Sequence, residues 1–283
     1  MLHLHNILNG YWLMNKSYAT NYLPLIANYL KGERLDISQL NIPELNDKNS
    51  ICINAGSDNS KRVSINDAPK GAIAIINIEG AITKYDQECG PAGMKTKSDL
   101  LKQCYASDNI SSIILKIDSG GGEGYAMQLM QETISERNKP VGAFIDDFAC
   151  SAAYGIASAC DYICANSNMA RIGSIGAYIT IIDLSKQFEM LGINIIEMYS
   201  SFSTDKNKDH NDAVAGKPEA LISDLDVFTK NFLDSVEKNR DGKLKGDSTE
   251  WGTGKVWYAE QALELGLIDG IDTFENFINY FNS

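Results

Sequence analysis

The sequence predicts an α/β protein built on a mostly parallel, buried β-sheet, and three observations predict it. From Gly71 onward, apolar runs of strand length alternate with stretches of helical length and spacing, the sign of βαβ units. Those runs are nearly continuous in Ile, Val and Ala, as strands covered on both faces require. One of them passes through three consecutive glycines straight into a helical stretch. The chain has 283 residues, 44% of them hydrophobic and 22% charged, enough to bury a sizeable core.

The predicted strands, in order, are Ala72 to Ile78, Ser112 to Ile117, Val141 to Ile145, Tyr162 to Ala165, Ala177 to Ile182 and Ile193 to Tyr199. The predicted helices between them are Ser98 to Ser107, Gly124 to Arg137, Ser151 to Ala159 and Leu184 to Leu191. Crossovers between parallel strands should be right-handed. Asp212 to Arg240 carries Leu221, Leu225, Phe228, Phe232 and Val236 at three- and four-residue spacing, which predicts one long amphipathic helix at about 212–240. A closing segment at about 255–283 returns to a strand or turn plus helix and ends in an amphipathic stretch, Phe274 to Phe281. Ahead of all this, Tyr18, Tyr22, Leu23, Ile26, Tyr29 and Leu30 have helical spacing, followed by a polar run to Lys61. Residues 1–65 therefore read as an N-terminal helical arm and residues 66–283 as the main domain.

A formal net charge of -12, with no block of Lys and Arg, disfavours nucleic acid as a partner. No apolar run approaches the roughly 18 to 20 residues that span a bilayer, so no integral membrane segment is expected. Residues 1–30 lack the continuous apolar core of a secretory signal, and the sequence reads as cytoplasmic. The six cysteines are scattered. Cys160 and Cys164 have no second cluster of ligands to complete a zinc site, so buried, reduced thiols are expected and no metal.

Three stretches carry chemistry. Ile113 to Gly124 reads IILKIDSGGGEG: glycines there let backbone N–H groups approach a ligand oxygen, and they match neither a P-loop nor a dinucleotide fingerprint. Phe144 to Ser158 reads FIDDFACSAAYGIAS and puts Ser151 at a helix start. A serine there is either an N-cap or a nucleophile whose neighbouring N–H groups face a developing negative charge. The small residues Ala149, Ala152, Ala153 and Gly155 would leave room for an extended substrate backbone. Arg171 to Ala177, RIGSIGA, suggests a tight backbone bend, where Ser174 is either a loop residue or part of the site.

In this order and separation the stretches resemble the S49 peptidase family, the signal peptide peptidase A and phage capsid protease group. The family's D-S-P-G-G, A-x-S-A-A-Y and G-S-I-G segments read here Asp118-Ser119-Gly120-Gly121-Gly122, Ala149-Cys150-Ser151-Ala152-Ala153-Tyr154 and Gly173-Ser174-Ile175-Gly176. A closing family-like segment runs from Tyr258 to Asp269. Gly120 stands where the family usually has proline. The resemblance implies a ClpP/crotonase-like fold and a Ser/Lys dyad that needs neither ATPase, cofactor nor metal. Ser151 is then the nucleophile, with an oxyanion hole of the N–H groups of Gly121 and Ala152, and Gly120, Gly122 and Ser174 lining the substrate. The family's lysine follows the serine by some fifty residues within a G-x-x-K-type segment. Here the region from Tyr199 to Lys208 lacks that glycine, which makes Lys206 the expected base and Lys208 its rival. A Ser-His-Asp alternative has only His210 after the serine.

The absent membrane segment and the stretch Ile7 to Leu13 followed by Tyr22-Leu23-Pro24-Leu25 resemble phage and prophage members, which process scaffold and capsid proteins in the host cytoplasm. A signal-peptide-degrading peptidase is the alternative within the family. The stripe on the 212–240 helix leads to an expected homo-oligomeric ring. Outside the family, a crotonase-like acyl-CoA enzyme using Glu123, or a non-catalytic assembly scaffold, remain the rival classes.

Overall fold

The computed structural model describes residues 12–14, 51–54, 61–87 and 90–282. The helical spacing expected between Tyr18 and Leu30 lies outside the described residues, as does the run Ile7 to Tyr11. The strands are β1 (Trp12–Met14), β2 (Ile51–Asn54), β3 (Lys61–Val63), β4 (Ala72–Ile82), β5 (Ile110–Glu123), β6 (Val141–Cys150), β7 (Tyr162–Ala165), β8 (Arg171–Gly173), β9 (Val256–Tyr258) and β10 (Gly270–Ile271). The helices are α1 (Met94–Ala106), α2 (Gly124–Ser135), α3 (Ala152–Ser158), α4 (Ser185–Met190), α5 (Lys208–Val214), α6 (Glu219–Asn239), α7 (Ser248–Trp251), α8 (Ala259–Glu264) and α9 (Phe274–Asn282). The class is α/β with a mostly parallel sheet, as expected.

The sheet runs in the order β10-β7-β6-β5-β4-β2-β3. β4, β5, β6, β7 and β10 are parallel, β8 adds parallel to the end of β6, and β2, β3, β9 and β1 pair antiparallel. Alternation along each strand divides its apolar residues between two layers. On one face Ala74, Ile76, Ile78, Ile113, Leu115 and Ile117 pack with α1, α2, α3 and the C-terminal half of α6. On the other, Ile73, Ile75, Ile114 and Phe144 pack under Phe277 and Ile278 of α9. Burial on both faces is the physical reason the strands read as unbroken apolar runs.

Several boundaries differ from expectation. β4, β5 and β6 run well past their apolar cores, because parallel neighbours keep satisfying their backbone groups through polar and glycine positions. The long helix is two helices: Gly216, at φ +84°, and Pro218 stop α5 and restart the chain as α6. Neither Ala177 to Ile182 nor Ile193 to Tyr199 forms a strand, although both read as one. The second of these stretches turns its apolar side chains outward: Ile193, Ile195, Ile196, Met198 and the following Phe202 are all exposed, Phe202 at 95%. Strand propensity without a partner ladder gives extended chain and no strand. Among the described residues, no helix is long and apolar enough to cross a membrane.

Candidate active site

The site forms where β5 and β6 separate. Their parallel register ends at Ser119 opposite Ala149. β6 then leaves β5 for β8, pairing Cys150 with Gly173, and the chain turns into α3. Ser151 is the corner of that turn. Its backbone lies at φ 56°, ψ −121°, a region that side chains other than glycine's rarely adopt and that costs about 1 to 3 kcal/mol. The corner is clamped: the Ser151 N–H donates to the Gly173 carbonyl at 2.6 Å, and its carbonyl accepts from the Gly155 N–H at 2.9 Å.

The side chain is not an N-cap, because it accepts no hydrogen bond from the first turn of α3. Ser151 is 1% exposed, and its Oγ is shielded from solvent with no hydrogen-bond partner. A buried, unpaired hydroxyl on a strained corner is costly on both counts, and such costs collect at functional sites. Of the small residues around it, Ala149, Ala152 and Ala153 are fully buried, and a Cβ on Gly155 would lie 2.1 Å from Met127 Sδ and 2.9 Å from Phe232 Cε2. Gly155 thus lets α3 press against α2 and α6.

The glycines are the end of β5, not a turn after it. At Gly121 and Gly122 the strand still pairs with Ala81 and Ile82 of β4. A Cβ on Gly122 would sit 2.0 Å from the Ile82 carbonyl oxygen, so only glycine permits this approach. The Gly121 N–H donates to Ser119 Oγ at 3.1 Å, and that hydroxyl donates to the Gly80 carbonyl at 2.6 Å. Ala152 is the first residue of α3, where an N–H has no acceptor within its own helix. Glu123, the acid of the acyl-CoA alternative, accepts the Lys84 N–H at 2.8 Å. Ser174, at φ 52°, donates its N–H to the Lys255 carbonyl at 2.7 Å, so the Gly173-Ser174 bend is held between Ser151 and β9.

The lysines are not at the serine. Lys206 and Lys208 are exposed, beyond the outward-facing stretch, and neither bonds to Ser151 Oγ. Lys208 Nζ pairs with Asp212 at 2.8 Å, and that hydrogen bond raises its pKa, the opposite of what a general base needs. His210 is exposed on α5.

Two further residues carry perturbed charges. Asp118 marks the register break between β5 and β6, and its carboxylate accepts the Phe148 N–H. Burial, and then Asp147, raises its pKa. The D-S-G-G-G segment contains Asp118 but gave it no role, and only the register shows what it holds. Lys97 on α1 is buried and donates to the Asn77 carbonyl at 2.5 Å; burial lowers its pKa to about 8, against the charges of Glu79 and Asp86. Nothing in the sequence singles it out from other lysines of an amphipathic helix.

A strained, unpaired serine between a glycine-ended strand and a helix start is a setting in which a nucleophile can be held. Residues 133–282, more than half of the chain, match Peptidase family S49, and the chain belongs to that family. It is 25% identical over 210 residues to Protease 4 of Haemophilus influenzae, covering 73% of this chain and 34% of that protein. It is 26% identical over 171 residues to the head-tail preconnector protein GP5 of Enterobacteria phage P21, covering 60% of this chain and 34% of that protein. The chain thus spans about a third of the length of these two relatives. Among solved structures, a membrane-bound stomatin-specific protease, 1510-N, in complex with a substrate peptide gives a TM-score of 0.43 at 19% identity, covering 74% of this chain and 78% of that one.

Proposed function

We propose that this chain is an ATP-independent serine endopeptidase in which Ser151 attacks the peptide carbonyl and Lys206 takes its proton. The observation that carries the reading is Ser151 itself: a non-glycine residue held at positive φ with a buried Oγ that bonds to nothing. Attack gives a tetrahedral oxyanion, which the Ala152 N–H receives together with the Gly121 N–H once that donor exchanges its 3.1 Å bond to Ser119 Oγ for the stronger, charged acceptor. Collapse breaks the C–N bond, the leaving amine takes the proton held by Lys206, and water activated by the freed lysine hydrolyses the acyl-enzyme that remains. Gly120, Gly122 and the Gly173-Ser174 bend border the substrate backbone. No metal or cofactor takes part in this scheme.

Lys206 is preferred to Lys208 because Lys208 is held by Asp212. Lys206 follows the outward-facing apolar stretch, and covering that stretch in a homo-oligomeric ring is the step that brings the lysine to Ser151. The likeness to GP5 of a phage supports a role in processing scaffold or capsid proteins in the host cytoplasm. The likeness to Protease 4 supports the alternative, degradation of signal peptides.

The test is mass spectrometry of a complex peptide pool after incubation with wild type, Ser151→Ala, Lys206→Ala and Lys208→Ala. Cleavage by wild type and Lys208→Ala alone supports the assignment. Equal cleavage by Ser151→Ala removes the nucleophile, and cleavage by Lys206→Ala moves the base.

A further inference from the structure

The departure of β6 at Ser151 leaves one edge of β5 open from Gly121 to Glu123, on the side where the serine corner sits. A lone extended edge of this kind recruits a strand. Here it is filled by β1, antiparallel, with Trp12 opposite Glu123, Leu13 opposite Gly122 and Met14 opposite Gly121. β1 thereby lies along the glycines and ends opposite one of the two residues assigned to the oxyanion hole. An extended peptide presented for cleavage beside Ser151 needs the same edge, because main-chain pairing holds a peptide backbone of varied sequence.

We propose that Trp12–Met14 is an intramolecular stand-in for substrate, closing the peptide edge of β5 until it is displaced. This inference rests on the peptidase reading above and adds a regulation to it. The strand occupies the edge, and in the same structure Ser151 Oγ is shielded from solvent. The ladder is three residues long, with about two hydrogen bonds reaching β5, so the closed state is favoured modestly. At their usual net worth, taken at its central value, two such bonds hold the open form to roughly a thirtieth of the molecules. The device is a brake that substrate can compete with. The chemistry that displaces it is an extended peptide backbone able to pair with the same edge.

The test uses the full chain with two substitutions, Leu13→Pro and Met14→Pro. Ladder donors alternate along an antiparallel strand, so one of the two prolines removes a bond to β5. The rate of phosphonylation of Ser151 by a fluorophosphonate probe is read by intact mass, with Ser151→Ala as the blank. Amide hydrogen exchange of peptides containing Gly121 to Glu123 is read in parallel. The variant that loses the bond should label about 5-fold faster than wild type and lose protection at those amides. A synthetic peptide of residues 9–17, added in trans, should slow it again. Labelling of wild type at the same rate as both variants overturns the proposal, as does lost protection with slower labelling, which would make β1 a support of the site. If no protein labels at Ser151 while the exchange difference is present, the peptidase reading fails and the strand is a pairing without that role.

Discussion

Arg240 is the buried charge on which the segment behind α3 depends, and replacing it by methionine isolates that dependence. Its side chain is 1% exposed and donates four hydrogen bonds: to the Gly266 carbonyl at 3.1 and 2.7 Å, and to both carboxylate oxygens of Asp269 at 2.8 and 3.0 Å. Methionine keeps most of the apolar stem and removes every donor. Asp269 then retains Lys243 at 3.0 Å and the Ile163 N–H at 2.8 Å, while the Gly266 carbonyl loses both of the Arg240 donors. Breaking a buried pair on one side costs about 3 to 5 kcal/mol. In a domain of this size that is a fall in Tm of roughly 6 to 20 °C. Burial acts to raise the pKa of Asp269, but the Arg240 hydrogen bonds and charge outweigh it and the net shift is downward. A carboxylate lowered by folding stabilises fully above its unfolded value of about 3.9 and loses that contribution as pH falls through the folded value. The gap between wild type and Arg240→Met should therefore be full at pH 7 and shrink below about pH 4. Urea unfolding followed by circular dichroism at both pH values measures it. A gap under about 1 kcal/mol at pH 7, or one unchanged in acid, would refute the assignment of this pair as the anchor.

Ser151→Gly should be more stable than wild type by about 1 kcal/mol, because glycine adopts φ 56°, ψ −121° without strain, while all labelling is lost; a lower Tm would show that the corner is not strained. Gly122→Ala places a Cβ 2.0 Å from the Ile82 carbonyl oxygen, where backbone must move, and should lose about 3 kcal/mol in the same urea assay; a loss under about 0.5 kcal/mol would mean that β4 and β5 slide freely there. Burial pushes the Cys104 and Cys150 thiols up to about 12, so mapped alkylation at pH 8 should leave both unmodified until denaturant is added; rapid native modification of either would show that its site opens.

The serine corner was legible because three local features coincide in one stretch: a strand end, a serine, and a run of small residues. The run was read for the wrong reason, since Gly155 is small to admit Met127 and Phe232, residues of two other helices that no local pattern connects to it. The parallel core was legible because burial on both faces writes itself into continuous runs such as Ala72 to Ile78. The strand ends were not, since Gly121 and Gly122 remain in β5 through pairing with β4 and β1, which is non-local.

The same distinction separates Ser151 from its proposed base. A serine on a strand-to-helix corner is placed by its own neighbours in sequence, so a motif suffices to find it. Lys206 stands after a stretch whose strand pattern has no partner ladder among the described residues, and under the proposed function its position relative to Ser151 depends on what covers Ile193 to Phe202. Strand propensity there fits a half-buried surface that an isolated chain does not supply. Under the proposed function the exposed stretch and the unpaired Ser151 Oγ are two ends of one incompleteness: the pattern asks for a ladder, the hydroxyl asks for a base, and the proposed base, Lys206, follows the stretch. Placing polar residues at Ile195 and Met198 should then slow Ser151 phosphonylation as much as Lys206→Ala does, although neither side chain is near the serine corner in sequence or in the sheet. Intact-mass labelling measures it, and wild-type rates in an Ile195→Lys, Met198→Lys variant would show that the base reaches Ser151 without that surface.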